Sequence, residues 1–281
     1  MIASIEKVNE LLNKYNLKAK KKFGQNFLID GNIIKKIVQK AQVDGETGVI
    51  EIGPGLGSLT EELLKYAKKV LAYEIDEDMI NILSNELSEY NNLKIINKDI
   101  LKSDIEEDLE YFNDVNKIIV VSNLPYYITT PIITKLLDVK DISYICVMVQ
   151  KEVAVRFCAK TSNKDYGSIT VLLNYKTDII GSFDVNRNCF MPKPNVDSSV
   201  VLMKIKKDDS RVNNELNFLN FIKKSFGMKR KTFVNNILAN YDLEKEKILN
   251  VLKELNLSES VRSESIDLDN FIKIYKKLFE D

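Results

Sequence analysis

The chain contains no histidine, and only three of its 281 residues are cysteines. The absence of histidine excludes His-based catalytic triads, the zincin motif and zinc sites with an imidazole ligand. Cys146, Cys158 and Cys189 lack the spacing of a metal site, and their odd number argues against a disulfide framework. We therefore expect a protein that holds neither a metal ion nor a disulfide scaffold.

Long apolar runs are also missing, because no segment approaches the roughly 20 residues of a membrane-spanning helix. The first residues lack the pattern of a secretory signal. With 44% hydrophobic and 29% charged residues, the composition is typical of a soluble globular protein. We expect a cytoplasmic protein with no membrane partner, and the length fits one large domain plus a small one.

Net charge gives no indication of a nucleic-acid partner, because 41 basic residues balance 41 acidic ones. The charges are nevertheless segregated along the chain, and acidic residues concentrate over 104–110. Such segregation can create one basic face on the folded protein. The basic clusters are Lys18, Lys20, Lys21 and Lys22, then Lys204, Lys206 and Lys207, and finally Lys229, Arg230 and Lys231.

Residues 122–127 follow an apolar run that predicts a buried parallel strand. Open α/β sheets bind ligands at the carboxyl ends of such strands. The side-chain oxygen of Asn123 and the backbone carbonyl of Leu124 can both accept hydrogens from the exocyclic amino group of a base. The proline that follows fixes the backbone, and Tyr126 or Tyr127 can stack on the base. The motif therefore suits recognition of an amino-substituted base.

A second motif, over 49–58, predicts a strand, a glycine-rich turn and the start of a helix. Its spacing is Glu-x-Gly-x-Gly-x-Gly, whereas dinucleotide sites favour Gly-x-Gly-x-x-Gly. Glu51 stands two residues before Gly53, so it suits a ligand with a cationic amino group better than a pyrophosphate. Ser58 and Glu61 have the spacing of a capping box for the helix.

Acidic residues follow the next two predicted strands. Glu74 lies at the tip of the second strand, where carboxylates accept hydrogen bonds from ribose hydroxyls. Asp76 is predicted to cap the following helix. After the third strand, Asp99 can accept from an adenine amino group while Ile100 lies against the ring.

Strand centres near 50, 71, 95, 119 and 145 recur at the spacing of successive βα units. Two further strands are predicted over 179–185 and 198–205, whereas 168–174 could form either a helix or a strand. Beyond residue 210 the strand signals stop. Helical spacing of apolar residues continues over 215–226, 232–240, 244–255 and 268–279.

Together these motifs resemble the ribosomal RNA adenine dimethyltransferases of KsgA type, which belong to the S-adenosylmethionine-dependent methyltransferases. The resemblance spans nearly the whole chain and rests on residues 24–30, 51–57, 74, 99, 123–127, 150–154, 190–198 and 229–232. It implies an α/β, Rossmann-like fold with a seven-stranded, mostly parallel sheet. The implied division is a catalytic domain over 1–206 and a small all-helical rRNA-binding domain over 207–281.

The resemblance also implies a site. We expect contacts with the methyl donor, S-adenosylmethionine, from Asn26, Leu28, Glu51, Gly53, Gly55, Glu74, Asp99, Ile100 and Asn123. The expected catalytic residues are Asn123, Leu124 and Tyr126. Contacts with RNA are expected from Tyr126, Phe190, Lys229, Arg230 and Lys231. The implied substrate is a pair of adjacent adenosines near the 3′ end of 16S rRNA, each dimethylated by a monomeric enzyme acting on the 30S subunit or its precursor.

One departure and three alternatives remain open. Residues 186–188 lack prolines expected from the family, which leaves the stiffness of the loop before Phe190 undetermined. An enzyme of the antibiotic-resistance type would share the donor site but methylate 23S rRNA. A DNA adenine methyltransferase would more often carry proline at the position of Leu124. A non-catalytic ribosome-assembly factor would use the basic face alone.

Overall fold

A computed structural model describes residues 2–20, 24–206 and 211–280. Lys21, Lys22 and Lys207 of the predicted basic clusters lie outside the described residues. Within these ranges, no helix combines the length and the apolar character that crossing a bilayer requires.

Across the described residues, seven strands form one sheet in the order β4-β3-β2-β5-β6-β9-β7. The strands are β1 (Phe27–Leu28), β2 (Thr47–Ile52), β3 (Lys69–Tyr73), β4 (Leu93–Ile96), β5 (Lys117–Asn123), β6 (Ile142–Gln150), β7 (Thr177–Val185), β8 (Phe190–Met191) and β9 (Ser198–Ile205). Strands β2 to β6 pair in parallel, and β9 runs antiparallel to β6. The mostly parallel sheet predicted from the sequence is confirmed.

The central strands are apolar because both faces of the sheet are covered. Every residue of β2 is buried, and the two-residue strands β1 and β8 form a separate antiparallel pair. The helices are α1 (Ile5–Lys14), α2 (Gly31–Lys40), α3 (Ser58–Tyr66), α4 (Glu77–Glu86), α5 (Ile105–Asp108), α6 (Thr129–Leu136), α7 (Lys151–Phe157), α8 (Ser168–Lys176), α9 (Glu215–Ser225), α10 (Phe233–Leu238), α11 (Lys245–Glu254) and α12 (Leu268–Phe279).

Helix starts show where local sequence is decisive. Asp76 caps α4 as predicted, since its side chain accepts the N–H of Asp78 at 3.3 Å. The predicted capping box at the start of α3 is wrong. Gly57, in a left-handed conformation, occupies the N-cap position, so Ser58 is already helical and its hydroxyl has no partner among the described residues. Glu61 instead accepts the backbone N–H of Ile2 at 2.5 Å.

The chain divides into two compact units. One contains the sheet and its site, and the other comprises residues 155–178 together with the described residues from 206 onward. The predicted boundary placed 155–178 in the catalytic domain. The ambiguous segment forms helix α8, and Tyr175 on this helix packs edge-on against Phe218, with ring centroids 5.1 Å apart. The apolar core of the second unit thus includes side chains of α8.

Candidate active site

A pocket lies at the carboxyl ends of the parallel strands, where the sheet order reverses direction between β2 and β5. All residues predicted to contact the donor or to act in catalysis lie on its wall. These are Asn26, Leu28, Glu51, Gly53, Gly55, Glu74, Asp99, Ile100, Asn123, Leu124 and Tyr126. The structure therefore assembles in one place residues that are almost 100 positions apart in the sequence; their individual roles stay predictions.

The glycine-rich turn after β2 forms one side of the pocket. Gly53 and Gly55 have φ angles of +67° and +58°, a region that side chains disfavour. The N–H of Gly53 donates to the carbonyl of Tyr73 at 2.9 Å, which ties the turn to β3. Bare backbone thus faces the pocket, and a ligand can approach it closely.

Glu74 links the glycine turn to the tip of β3. Its Oε2 accepts the N–H of Gly55 at 3.2 Å, and its Oε1 accepts those of Ile75 and Asp76 at 2.9 Å. The side chain is only 6% exposed, and burial raises the pKa of its carboxyl group, although the backbone bonds oppose this shift. The carboxylate is held rigidly at the pocket wall, ready to accept from hydroxyl groups.

Glu51 supplies a buried oxygen without a partner. The residue is 2% exposed, and among the described residues no donor bonds to its Oε2. Burial raises the pKa of its carboxyl group to about 8; the nearby hydroxyl of Thr60 opposes this shift, and the charge of Glu74 adds to it. A buried carboxylate normally has a partner, so this atom fits the cationic amino group of a ligand. The pocket thus meets a specific chemical requirement of S-adenosylmethionine.

Asp99 and Ile100 on the pocket wall suit an adenine ring. Oδ1 of Asp99 accepts the N–H of Leu101 at 3.0 Å, which fixes the carboxylate on the wall. Ile100 is buried beside it and provides an apolar surface. One carboxylate acceptor and one apolar side chain are the groups needed to hold an amino-substituted ring.

Asn123 is the last residue of β5, and its amide faces the pocket. Nδ2 donates to the backbone carbonyl of Asn26 at 3.4 Å, whereas Oδ1 is buried and has no partner among the described residues. Leu124 donates its N–H to the carbonyl of Met148 at 3.1 Å. Pro125 fixes the following backbone at a φ of −61°. An acceptor oxygen and a rigid carbonyl thus lie next to each other.

Ser122, the first residue of the 122–127 motif, makes a structural contact that the sequence alone does not indicate. Its hydroxyl donates to the carbonyl of Ile52 at 2.6 Å and accepts the N–H of the same residue at 3.3 Å. The contact joins β5 to β2 beyond their last backbone pair, Ile50 with Val120. The only signal in the sequence was a hydroxyl group at the end of an apolar strand.

The segment before β1 is tied to the donor side by charges. Lys20 Nζ lies 2.6 Å from Asp76 Oδ1 and 2.5 Å from Asp78 Oδ2. Gln25 Nε2 donates to the other oxygen of Asp76 at 2.8 Å. These bonds hold the chain next to Asn26 at the pocket. The sequence pattern alone places Lys20 only in a basic cluster and does not indicate this contact.

Phe190, from which a contact with RNA is expected, is buried in the structure. Its ring is 3% exposed and packs in the apolar core, because β8 pairs with β1 and places Phe190 opposite Leu28. The ring is therefore not available to RNA in this conformation.

The loop without prolines, 186–188, is fixed by polar bonds instead. The side chain of Asn186 accepts the N–H of Asn188 at 2.9 Å, and Asp197 accepts that of Arg187 at 2.9 Å. The guanidinium of Arg187 also donates to the carbonyl of Asn195 at 3.0 Å. Local hydrogen bonds therefore replace the expected proline rigidity.

Lys229, Arg230 and Lys231 lie in the second unit and are exposed. Their loop is held by the buried amide of Asn236, which accepts the N–H of Met228 at 2.6 Å and donates to carbonyls at both ends of the loop. Three cations thus project from a fixed backbone.

Among the residues the structure describes, no cluster of acidic, cysteine or histidine side chains has the composition of a metal site.

The fold and the donor pocket define a Rossmann-like methyltransferase that uses S-adenosylmethionine. Two solved structures share this fold. A dimethyladenosine transferase from Plasmodium falciparum is 28% identical, with a TM-score of 0.72 over 89% of this chain and 96% of the other. The 23S rRNA methyltransferase ErmE is 22% identical, with a TM-score of 0.65 over 90% and 99%, and shows the fold alone.

The sequence comparisons are more specific. The model of the ribosomal RNA adenine dimethylase family matches residues 16–278. A protein from Anoxybacillus flavithermus named ribosomal RNA small subunit methyltransferase A is 46% identical over 99% of this chain and 96% of its own length. The chain belongs to the ribosomal RNA adenine dimethylase family, and it is an S-adenosylmethionine-dependent rRNA adenine dimethyltransferase.

Proposed function

We propose that the enzyme dimethylates N6 of two adjacent adenosines near the 3′ end of 16S rRNA and thereby contributes to biogenesis of the 30S subunit. The observation that carries the proposal is the buried, unpartnered Oδ1 of Asn123 in the pocket. The choice of the small subunit is supported by relatives named ribosomal RNA small subunit methyltransferase A, which are 41% to 46% identical over nearly the full length.

Asn123 and Leu124 would activate the amino group by accepting its hydrogens. The lone pair of an adenine N6 is delocalised into the ring, so the nitrogen is a poor nucleophile. Two acceptors favour a pyramidal nitrogen and stabilise the positive charge that grows on it. Preorganised groups of this kind contribute on the order of a few kcal/mol each to lowering a barrier.

No general base is required for this chemistry. The donor supplies an activated methyl group on a sulfonium, and the protein supplies alignment. The alkylated nitrogen is acidic, so it can release its proton to water. This accounts for a pocket that works without histidine.

The donor would be held along the wall formed by β2, β3 and β4. We assign Glu51 to its amino group and Glu74 to its ribose hydroxyls, because these carboxylates are the buried acceptors beside the glycine turn. Asp99 and Ile100 would take the adenine ring. Asn26, Leu28, Gly53 and Gly55 complete the pocket wall.

The RNA would be bound by stacking and by charge. The target base must leave its stack, at a cost of a few kcal/mol that is lower in a loop. Tyr126 would stack on the extruded base, and Lys229, Arg230 and Lys231 would contact phosphates.

We further propose that the enzyme acts as a monomer in the cytoplasm. Sedimentation of the pure protein at micromolar concentration tests the oligomeric state.

Labelled S-adenosylmethionine, added with separately purified 30S and 50S subunits lacking the modification, tests the proposal. Mass spectrometry of nuclease fragments should locate two adjacent dimethyladenosines in 16S rRNA. Label in 23S rRNA alone would establish the antibiotic-resistance type of activity instead. An Asn123→Ala enzyme that still supports subunit assembly would show that binding contributes to biogenesis separately from methylation.

A further inference from the structure

We propose that the adjacent residues Tyr126 and Tyr127 serve two different ligands: the ring of Tyr126 faces the target base, and the ring of Tyr127 covers the adenosine part of the methyl donor. The part concerning Tyr126 rests on the function proposed above. The part concerning Tyr127 gives a donor-binding role to a residue that the motif alone offers only as an alternative stacking partner for the base.

Backbone geometry separates the two rings. Residues Tyr126–Ile128 form a single turn of 3₁₀-helix after Pro125. Successive side chains on such a turn diverge by about 120°, because three residues complete one turn. Two neighbouring tyrosines here cannot face the same ligand with their ring faces, although both line the pocket.

Tyr126 is anchored away from the donor. Its hydroxyl lies 2.6 Å from the hydroxyl of Ser198, the first residue of β9, which is fully buried. Ser198 pairs with Gln150 at the end of β6, so the anchor belongs to the sheet itself. A ring held at its far end by the sheet forms a fixed wall, which suits stacking on a base that enters from outside.

Tyr127 lies toward the donor side. A methyl group placed on Gly24 would lie 3.7 Å from Cδ1 of Tyr127, so the ring rests against the segment that leads to Asn26. Burial raises the pKa of its phenol, and the negative charges of Asp99 and Glu74 add to the shift. These are the carboxylates assigned to the adenine and the ribose.

The exposure of Tyr127 fits a cover over the donor. The residue is 58% exposed, although it lies on the pocket wall. An aromatic ring left this open in the free protein gains apolar contact when an adenosine moiety fills the space beneath it. Base–aromatic stacking is typically worth 1–3 kcal/mol, so loss of the ring should weaken donor binding about tenfold.

The test compares four variants of the full-length enzyme: Tyr127→Ala, Tyr127→Phe, Tyr126→Phe and Ser198→Ala. Calorimetry with S-adenosylhomocysteine, in the absence of RNA, measures the donor site alone. Steady-state methylation of 30S subunits gives kcat and KM separately. Because Tyr127 is exposed, its replacement should leave the melting temperature unchanged. Tyr126→Phe removes the same hydrogen bond as Ser198→Ala, but it does so without opening a cavity in the sheet.

We expect Tyr127→Ala to raise the dissociation constant for S-adenosylhomocysteine about tenfold, and Tyr127→Phe to bind like the parent. Tyr126→Phe and Ser198→Ala should bind S-adenosylhomocysteine normally but lower kcat several-fold. A double variant that combines these two changes should not lower kcat further than either change alone. Unchanged binding by Tyr127→Ala, or equal weakening by Tyr126→Phe, would overturn the division of roles. The wider function is judged separately, by the turnover of Asn123→Ala and by the position of the label in the rRNA.

Discussion

Nδ2 of Asn123 donates to the backbone carbonyl of Asn26 at 3.4 Å, joining the carboxyl end of β5 to the segment before β1. Since the amide nitrogen is engaged there, Oδ1 is directed into the pocket, where it is buried without a partner among the described residues. The proposed acceptor is therefore oriented before a base arrives. The same contact connects the target side of the pocket to a residue of the donor side.

Replacing Asn123 by alanine should abolish methyl transfer while the donor still binds, because the acceptor for N6 is lost but the other predicted donor contacts remain. Single-turnover transfer and calorimetry with S-adenosylhomocysteine measure the two effects. Asn92→Ala is a matched control, since that amide bonds the carbonyls of Leu64 and Ala67 outside the pocket. The control should lose stability but keep its turnover. Near-normal turnover of Asn123→Ala would refute the assigned role.

Glu51 should make stability fall as the pH rises. Its pKa is raised from 4.5 to about 8 in the folded chain, so the folded state keeps a proton that the unfolded state has lost in this range. Its contribution to the free energy of unfolding is complete below about pH 4.5 and is lost as the pH rises through 8. In urea titrations of the donor-free protein, Glu51→Gln should be more stable than the parent at pH 9, with a gap that closes toward pH 5.

The exposed Glu77, changed to glutamine, provides the control for this titration and should follow the parent curve. Saturating S-adenosylmethionine should reverse the order at high pH, because its ammonium group pairs with the ionised Glu51. If the free energies of unfolding of the parent and Glu51→Gln differ by the same amount at every pH, this carboxyl is not the titrating group.

Glu74→Gln should weaken donor binding by about tenfold or more, because hydrogen bonds to charged groups are typically worth 1.5–3 kcal/mol. The amide would also have to replace a carboxylate that accepts the N–H groups of Gly55, Ile75 and Asp76. Isothermal calorimetry at constant pH provides the measurement. Affinity equal to that of the parent would argue against the ribose contact.

Reversing the charges at Lys229, Arg230 and Lys231 to glutamate should weaken binding to 30S subunits and flatten its dependence on salt. Each lost phosphate contact lowers the salt slope by roughly one. Reversal of the exposed Lys245, Lys253 and Lys273 in the same unit is the matched control, with an equal change in net charge.

Filter binding over a range of potassium concentrations measures both quantities for these charge reversals. If affinity falls with salt equally steeply for the two triple variants, the basic loop is only a solvated surface. A smaller slope for the first variant only would identify the loop as the electrostatic contact.

Ser122→Ala should destabilise the fold without touching the ligands directly. The hydroxyl satisfies both the N–H and the carbonyl of Ile52, and losing a buried partner costs about 1–3 kcal/mol. The urea midpoint should fall at an unchanged slope. Ser88→Ala, at an exposed hydroxyl in the turn after α4, should leave the midpoint in place.

Local rules in the sequence were sufficient where the interaction itself is local. Asp76 caps the helix that begins one residue later, and the apolar strands follow from runs of buried residues. The residues predicted for donor binding and catalysis line one pocket, because parallel strands end at one edge of a sheet and motifs at those ends converge. The sequence by itself thus determined the sheet, the place of the pocket and the residues on its wall.

Tertiary packing decided the rest, because burial and orientation depend on segments distant in the chain. Phe190 is buried since β8 pairs with β1, more than 160 positions earlier, and α8 belongs to the second unit, where Tyr175 packs on Phe218. The contact that distinguishes Tyr126 from Tyr127 is made with the hydroxyl of Ser198, 72 residues away. No local pattern encodes such contacts, so only the folded structure could distinguish the two neighbouring tyrosines.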